Sequence, residues 1–227
     1  MNLKLVATLL ALPLLAACAP EIESTIYLAD VQTAVEKGEV ISVPALLRIP
    51  QSGEDDCKKG LDALVEKLKA LTPITGKAQC ISKDQHGSGT QLAEVETQVQ
   101  IVPAGTEVPQ PNLFVIEAAT TDEGRTDLSF RMLKPVDEVV KAVQSADTMQ
   151  VDLDASIFIL HINNDTRDAA EVLANNAYVD GKPAVSENSA PVAIDRRGAV
   201  EIRLSDVASS WVEAGNSYYF ATVGPKS

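Results

Sequence analysis

The stretch QLAEVETQVQIV, residues 91–102, carries the clearest β-strand pattern in this chain of 227 residues. Its apolar positions are Leu92, Ala93, Val95, Val99 and Ile101. Their alternation with polar residues is typical of a strand that buries one face. Two more apolar segments, residues 113–119 and 126–133, flank the turn Thr121–Gly124 and predict a hairpin or meander in the same sheet.

Helical periodicity is confined to short segments. Residues 30–37 form an amphipathic stretch that Gly38 is placed to stop, and residues 55–71 form a second, longer one. Pro135 is placed to be the first residue of a third helix. Further strands are predicted at residues 25–28, 39–49, 149–162, 177–179, 192–194, 200–204 and 217–223.

These elements predict an α+β fold, with mainly antiparallel sheets and a few short amphipathic helices in two small domains. The composition changes near Lys134, where a proline-initiated helix leads into short strands separated by Asx-rich and glycine-containing turns. We therefore expect an N-terminal α+β domain at residues 25–133 and a C-terminal β-rich domain at residues 134–227.

The N-terminus has the pattern of an export signal. Lys4 is followed by an apolar run over residues 5–14 that is too short to span a bilayer, and small residues precede Cys18. The tetrapeptide Leu15-Ala-Ala-Cys18 resembles the lipobox of bacterial lipoproteins. The alternatives are an ordinary secretory signal cut near Ala17, or a cytosolic protein with a hydrophobic first helix; the break at Pro13 disfavours the latter.

The resemblance implies that residues 1–17 are a signal peptide and that lipidated Cys18 becomes the first residue of the mature protein. Residues 18–24 would then be a lipidated tether. Ala19 is not the aspartate associated with inner-membrane retention, so the outer membrane is favoured if the source is Gram-negative. In size and layout the chain is similar to small uncharacterised lipoproteins of bacteria and prophages, which implies a location in the cell envelope and no particular activity.

Cys57 and Cys80 are predicted to form a structural disulfide. An exported protein meets an oxidising compartment. Cys57 lies on the apolar face of the predicted helix at residues 55–71, and Cys80 begins a strand-like segment after the turn residues Pro73 and Gly76. A redox pair or a metal site is the alternative, but the chain has no C-x-x-C motif and no cluster with the spacing of metal ligands.

The charge and the histidines limit the possible functions. The formal net charge is −13, which argues against nucleic acid as a partner. The two histidines are His86, in a glycine-containing loop, and His161, at the end of an apolar run. Ser88 near His86 lacks the G-x-S-x-G context of a nucleophile, so we expect no catalytic residue.

Oxygen-bearing side chains raise the question of a calcium site. Asp152 and Asp154 would share one face of an extended strand, and more polar residues follow that strand, namely Asn163, Asn164, Asp165 and Asp168. No calcium-loop pattern is present, and Asx residues are frequent in turns for their local hydrogen bonds. A structural role is favoured, and the sequence predicts neither a bound metal nor a cofactor.

The aromatic residues near the C-terminus are expected to lie in the core. Trp211 and Val207 have the i, i+4 spacing of one helical face, and Tyr218 and Phe220 face one way in an extended strand. The alternative is an exposed aromatic patch that binds a protein or a glycan.

The sequence thus favours a lipid-anchored envelope protein that has a non-enzymatic binding or structural role towards a protein partner. Its body would lie in the periplasm or at the cell surface. The alternative is an envelope hydrolase or small-ligand binder with a site near His86 or near Asp152 and Asp154.

Overall fold

The computed structural model of the chain describes residues 19–85, 88–143, 156–185 and 190–226. Within these ranges thirteen strands form one sheet, and four helices pack against it. The strands are β1 (Glu21–Tyr27), β2 (Ile41–Gln51), β3 (Ala78–Gln85), β4 (Ser88–Pro103), β5 (Phe114–Thr120), β6 (Thr126–Met132), β7 (Ile157–Asn163), β8 (Ala170–Ala174), β9 (Ala177–Val179), β10 (Lys182–Ala184), β11 (Val192–Ile194), β12 (Ala199–Leu204) and β13 (Tyr218–Pro225). The helices are α1 (Leu28–Lys37), α2 (Glu54–Leu68), α3 (Val136–Val143) and α4 (Asp206–Glu213).

The long strand β4 organises the first half of the sheet. One edge of β4 pairs with β2 from Gln91 to Ile101, and the other edge is shared by β3 and the parallel strand β5. The alternation in residues 91–102 follows from this position. Val95, Val99 and Ile101 are fully buried on one face, whereas Glu94 and Glu96 on the other face reach solvent.

The expected α+β class and the expected division into two domains are wrong. The strand order is β10-β9-β12-β7-β1-β2-β4-β5-β6-β13-β8-β11, with β3 paired to β4 beside this path. Strands from residues 25–133 occupy the middle, and strands from residues 134–227 extend the sheet on both sides. Periodicity indicates where a strand lies but not which strand pairs with it, so the change in composition near Lys134 looked like a domain boundary.

The expected tether at residues 18–24 is also wrong where the structure describes it, because β1 already begins at Glu21. The segment pairs with β2 on one side and, in parallel, with β7 on the other, with Glu21 opposite Ile157 and Tyr27 opposite Asn163. The sequence did not predict a strand here because Glu21 and Glu23 are acidic, and buried strands seldom carry acidic residues unless the charges are paired.

One hydrophobic core joins the two halves of the chain. At its centre the rings of Phe114 and Phe130 lie 6.0 Å apart, and the ring of Phe158 meets that of Phe130 edge-on at 5.2 Å. Phe158 comes from β7, beyond the expected boundary, and all three side chains are buried. The chain therefore cannot bury this aromatic cluster until both halves are present.

The helices lie at the two ends of the strands. We call the end at which β1 and β7 begin the near end, and the end at which they finish the far end. At the far end α1 joins β1 to β2, and Gly38 ends it in the left-handed conformation, with φ of 70°, as its position after the helix predicts. At the near end α2 and α3 follow β2 and β6, and α4 joins β12 to β13.

Cys57 and Cys80, the cysteines expected to pair, form a disulfide in the structure. The bond joins the first turn of α2 to β3, and the two Cα atoms lie 6.0 Å apart. Cys57 is buried beneath the helix. The link holds α2 against the sheet at a place where the helix itself buries few residues.

No described helix is long and apolar enough to cross a membrane.

We predict that Phe158→Ala lowers the free energy of unfolding of the whole chain by about 3–5 kcal/mol, since it opens a cavity in the shared core. Chemical denaturation followed by both circular dichroism and tryptophan fluorescence should show one transition that shifts as a unit. Tyr178→Ala, which removes an aromatic side chain on the surface, is the control and should have a much smaller effect. Two transitions, of which only one moves, would contradict the single sheet.

Candidate functional site

A cleft of about 480 Å³ opens at the far end of the sheet. Its walls are α1, the far ends of β5, β6 and β13, and the loop that joins β7 to β8. Apolar residues form its floor, among them the buried Val31, Ala170 and Val223. The rim carries exposed polar side chains, namely Gln32, Glu36, Arg167 and Asp168.

Asn164 gives the loop between β7 and β8 its shape. This side chain is fully buried, and its Nδ2 donates hydrogen bonds of 2.9 Å to the carbonyl oxygens of Asp168 and Ile194. Its Oδ1 accepts hydrogen bonds from the backbone nitrogen and the hydroxyl group of Thr166. The hydrogen bonds of Asn164 therefore hold its own turn together and tie that turn to β11, a structural role that agrees with the one favoured from the sequence.

Asp165 connects this loop to α1. Its Oδ1 accepts a 3.0 Å hydrogen bond from the backbone nitrogen of Ala29, in the first turn of the helix. Tyr27 occupies the N-cap position and provides no side-chain cap of its own. Asp165 therefore caps α1 from a distant part of the chain. Burial, together with the nearby charge of Asp165, raises the pKa of Asp30 above its ordinary value.

The lining of the cleft combines an apolar floor with a charged rim. Among the described residues that line it there is no histidine and no cysteine. An apolar floor surrounded by charges of both signs suits a polypeptide segment, whose side chains alternate between apolar and polar and whose backbone needs polar partners.

A second polar feature, which we call the Arg48 cluster, lies on the outer face of the central strands. Residues Glu94, Arg48 and Glu21 stand side by side on β4, β2 and β1. The Arg48 guanidinium forms ion pairs with Glu21 and Glu23, and its Nε donates a 2.8 Å hydrogen bond to Glu94. Only 12% of the Arg48 side chain and 5% of the Glu21 side chain are exposed, so the pair at the centre of the cluster is largely shielded from water.

More polar side chains complete the Arg48 cluster. The Nζ of Lys83 lies 2.7 Å from a carboxylate oxygen of Glu21, and Nε2 of His161 lies 2.9 Å from Glu23. His161, one of the two histidines noted in the sequence, therefore shares its partner Glu23 with Arg48. The side chain of Gln79 donates to Glu94 from the neighbouring strand β3.

The contacts within the cluster favour the charged forms of Arg48, Glu23 and Glu94. Burial opposes the charge of Arg48, but hydrogen bonds with Glu94 and Glu23 outweigh it and raise the pKa of the guanidinium. Burial likewise raises the pKa of Glu23, but the hydrogen bond and charge of Arg48, with His161, bring that pKa below its ordinary value. For Glu94, Gln79 and Arg48 overcome the effect of burial and lower the pKa. Such a mutually satisfied set of charges stabilises the strands that carry it.

Several residues proposed from the sequence lie outside the described residues. They are Cys18, the predicted lipidation site, and His86, Asp152 and Asp154, the candidates for the alternative enzymatic or ligand site. Within the described ranges no group of three or more acidic, histidine or cysteine residues could hold a metal ion.

The expectation that Trp211 and Val207 pack in the core is wrong. Val207 is 82% exposed and Trp211 is 54% exposed, whereas Ala208 and Val212 on the opposite face of α4 are buried. The i, i+4 spacing identified a common face correctly, but a helix of eight residues at the edge of a fold offers two such faces. Phe220 is fully buried, as expected, and Tyr218 packs against the core, so of the aromatic residues near the C-terminus only Trp211 is largely exposed.

The comparisons with known proteins bear on the whole fold. The model of a family described as Domain of unknown function (DUF7424) matches residues 20–226, across both halves of the sheet. The chain belongs to this family. No curated protein matches the chain, and no solved structure matches it. The features of this DUF7424 domain that bear on function are therefore its own cleft, its charged cluster and its exposed helix face.

We predict that Arg48→Met lowers the free energy of unfolding by about 3–5 kcal/mol at pH 7, because Glu23 and Glu94 lose the cation that compensates their burial. The native pKa values of both glutamates lie below the ordinary value of 4.5. Their contribution is therefore complete above that pH and is lost as the pH falls through the native values. The difference from the wild type should shrink in acid.

Denaturant titrations at several pH values measure this effect. Lys58→Met is the matched control, since it removes an exposed cation that pairs with Glu54 within one helix turn, and it should change stability very little. An Arg48→Met variant as stable as the wild type at pH 7 would show that the cluster does not support the sheet.

Proposed function

We propose that this protein is a lipid-anchored envelope protein that binds a protein partner through the far-end cleft and catalyses no reaction. The single observation that carries the proposal is the polarity of the fold. Ala19 and Pro20, which follow Cys18, lie at the near end, and the backbone oxygen of Pro20 accepts a 2.8 Å hydrogen bond from Ile157 at the start of β7. The cleft opens at the opposite end.

The anchor is supported by the sequence of the N-terminus. Leu15-Ala-Ala-Cys18 resembles a lipobox, and the family match begins at residue 20, so residues 1–17 precede the part that the family shares. A chain lipidated at Cys18 would be held by its near end. Each acyl CH₂ that enters the bilayer contributes about 0.8 kcal/mol, so two or three chains suffice for stable attachment.

The kind of partner follows from the cleft. Its volume of about 480 Å³ is in the range of small-molecule pockets, but the cleft is only partly enclosed and its rim carries Arg167, Asp168 and Glu36. An open groove with an apolar floor and charges of both signs fits an extended or turn segment of another protein better than an enclosed small molecule.

We predict that replacing Cys18 by serine releases the protein from the membrane fraction. The measurement is fractionation of cells that express the chain with a C-terminal epitope tag, combined with protease treatment of intact and lysed cells. Tag cleavage on intact cells would indicate surface display, and protection until lysis would indicate a periplasmic body. A Cys18→Ser protein that stays with the membrane would contradict the lipid anchor.

The role of the cleft is tested by a photo-reactive amino acid at Gln32, on its rim. We predict a defined protein adduct at this position and none with the same probe at Lys59, an exposed residue of α2 at the near end. Arg167→Glu reverses an exposed charge beside the cleft and should weaken the adduct without changing the fold. Equal adducts from both probe positions would refute the cleft as the binding site.

A further inference from the structure

The outer face of α4 is apolar, exposed and held in a fixed position. Val207 and Trp211 form this face, which we call the Val207–Trp211 face, with the small residues Ser210 and Ala214 beside them. Ser205 caps the helix by accepting a hydrogen bond from the backbone nitrogen of Ala208. Large apolar side chains on a helix that already buries its other face call for an explanation.

The geometry places α4, the helix that bears this face, beside the point where the chain enters the fold. The helix links β12 to β13 across the near end and contacts β6, β7 and β13. Its Glu213 accepts a 2.8 Å hydrogen bond from the backbone nitrogen of Ser156, the residue before the one that binds Pro20. Cys18 is two residues from Pro20, a distance of about 7 Å of extended chain.

The tryptophan has the properties of a membrane-interface residue. Its Nε1 donates a 3.1 Å hydrogen bond to the backbone oxygen of Ser217, so the polar atom of the indole is satisfied while the ring remains exposed. Tryptophan is enriched where apolar lipid meets water, because its ring is large and apolar and carries one polar atom.

We propose that the Val207–Trp211 face lies against the lipid surface to which Cys18 is attached, and that this contact orients the protein with its cleft away from the membrane. The inference rests on the proposed lipid anchor. Two side chains bury too little area to bind a bilayer alone, so the contact acts only after the anchor has brought the near end to the surface. With a net charge of −13 the protein gains nothing from anionic lipid, so the occupant is the zwitterionic lipid interface.

Trp211 is the single tryptophan of the chain and therefore reports on its own position. The experiment uses the full-length lipidated protein, purified from membranes and reconstituted into phosphatidylcholine vesicles with or without bromine on the acyl chains. We expect a blue shift of the emission on reconstitution and a loss of intensity with the brominated lipid.

Two matched variants locate the contact. Val207→Asp places a charge on the face itself and should reduce both the blue shift and the quenching, while the protein still floats with the vesicles. Tyr27→Asp also replaces an exposed apolar residue by aspartate, but at the far end and at the N-cap position of α1, where aspartate is favourable. It should behave as the wild type.

Three results would overturn the proposal. Emission that stays unshifted and unquenched while the protein floats with the vesicles would refute the orientation and leave the anchor intact. A blue shift without quenching by brominated lipid would show that the face is covered by protein, either a second copy or a partner. Failure of the full-length protein to float would remove the anchor and the orientation together.

Discussion

The parallel pairing of β1 with β7 is the contact on which the rest of the architecture depends. It joins a strand at the start of the chain to one about 135 residues later, and it places Phe158 against Phe114 and Phe130. The remaining strands then extend the sheet on either side, mostly by antiparallel pairing, and the sheet covers one core. Because the two strands are so distant in sequence, bringing them together costs chain entropy. That cost comes before the contacts that the pairing permits can form.

The pairing of β1 with β2 on its other side explains why acidic residues are tolerated in the central strands. Glu21 and Glu23 would be costly in the middle of a sheet, but Arg48 on the adjacent strand pairs with both, and Lys83 also pairs with Glu21. The cluster also fixes the register of β1, since a slip by one residue would turn both carboxylates into the hydrophobic core. The apolar residues of β1 are too few to fix its register firmly. The charge pairs supply the missing specificity.

Individual elements could be predicted from the sequence, and their assembly could not. The short strands Ala177–Val179 and Val192–Ile194 have the predicted bounds because turn residues flank them. The Arg48 cluster could not be predicted from the sequence, since Arg48 lies 27 residues from Glu21 and 46 residues from Glu94. The cleft was missed for the same reason, and the exposed side of α4 was misjudged because periodicity defines a face without showing what covers it.

The cap that Asp165 provides to α1 makes the cleft a property of the completed chain. The helix forms one wall of the cleft, yet the group that satisfies its first turn lies 136 residues further along. A nascent or truncated chain that lacks the loop after β7 has neither this cap nor the opposite wall. The cleft is therefore complete only when the loop after β7 and the last strands have joined the sheet, and no fragment that ends before them can form it.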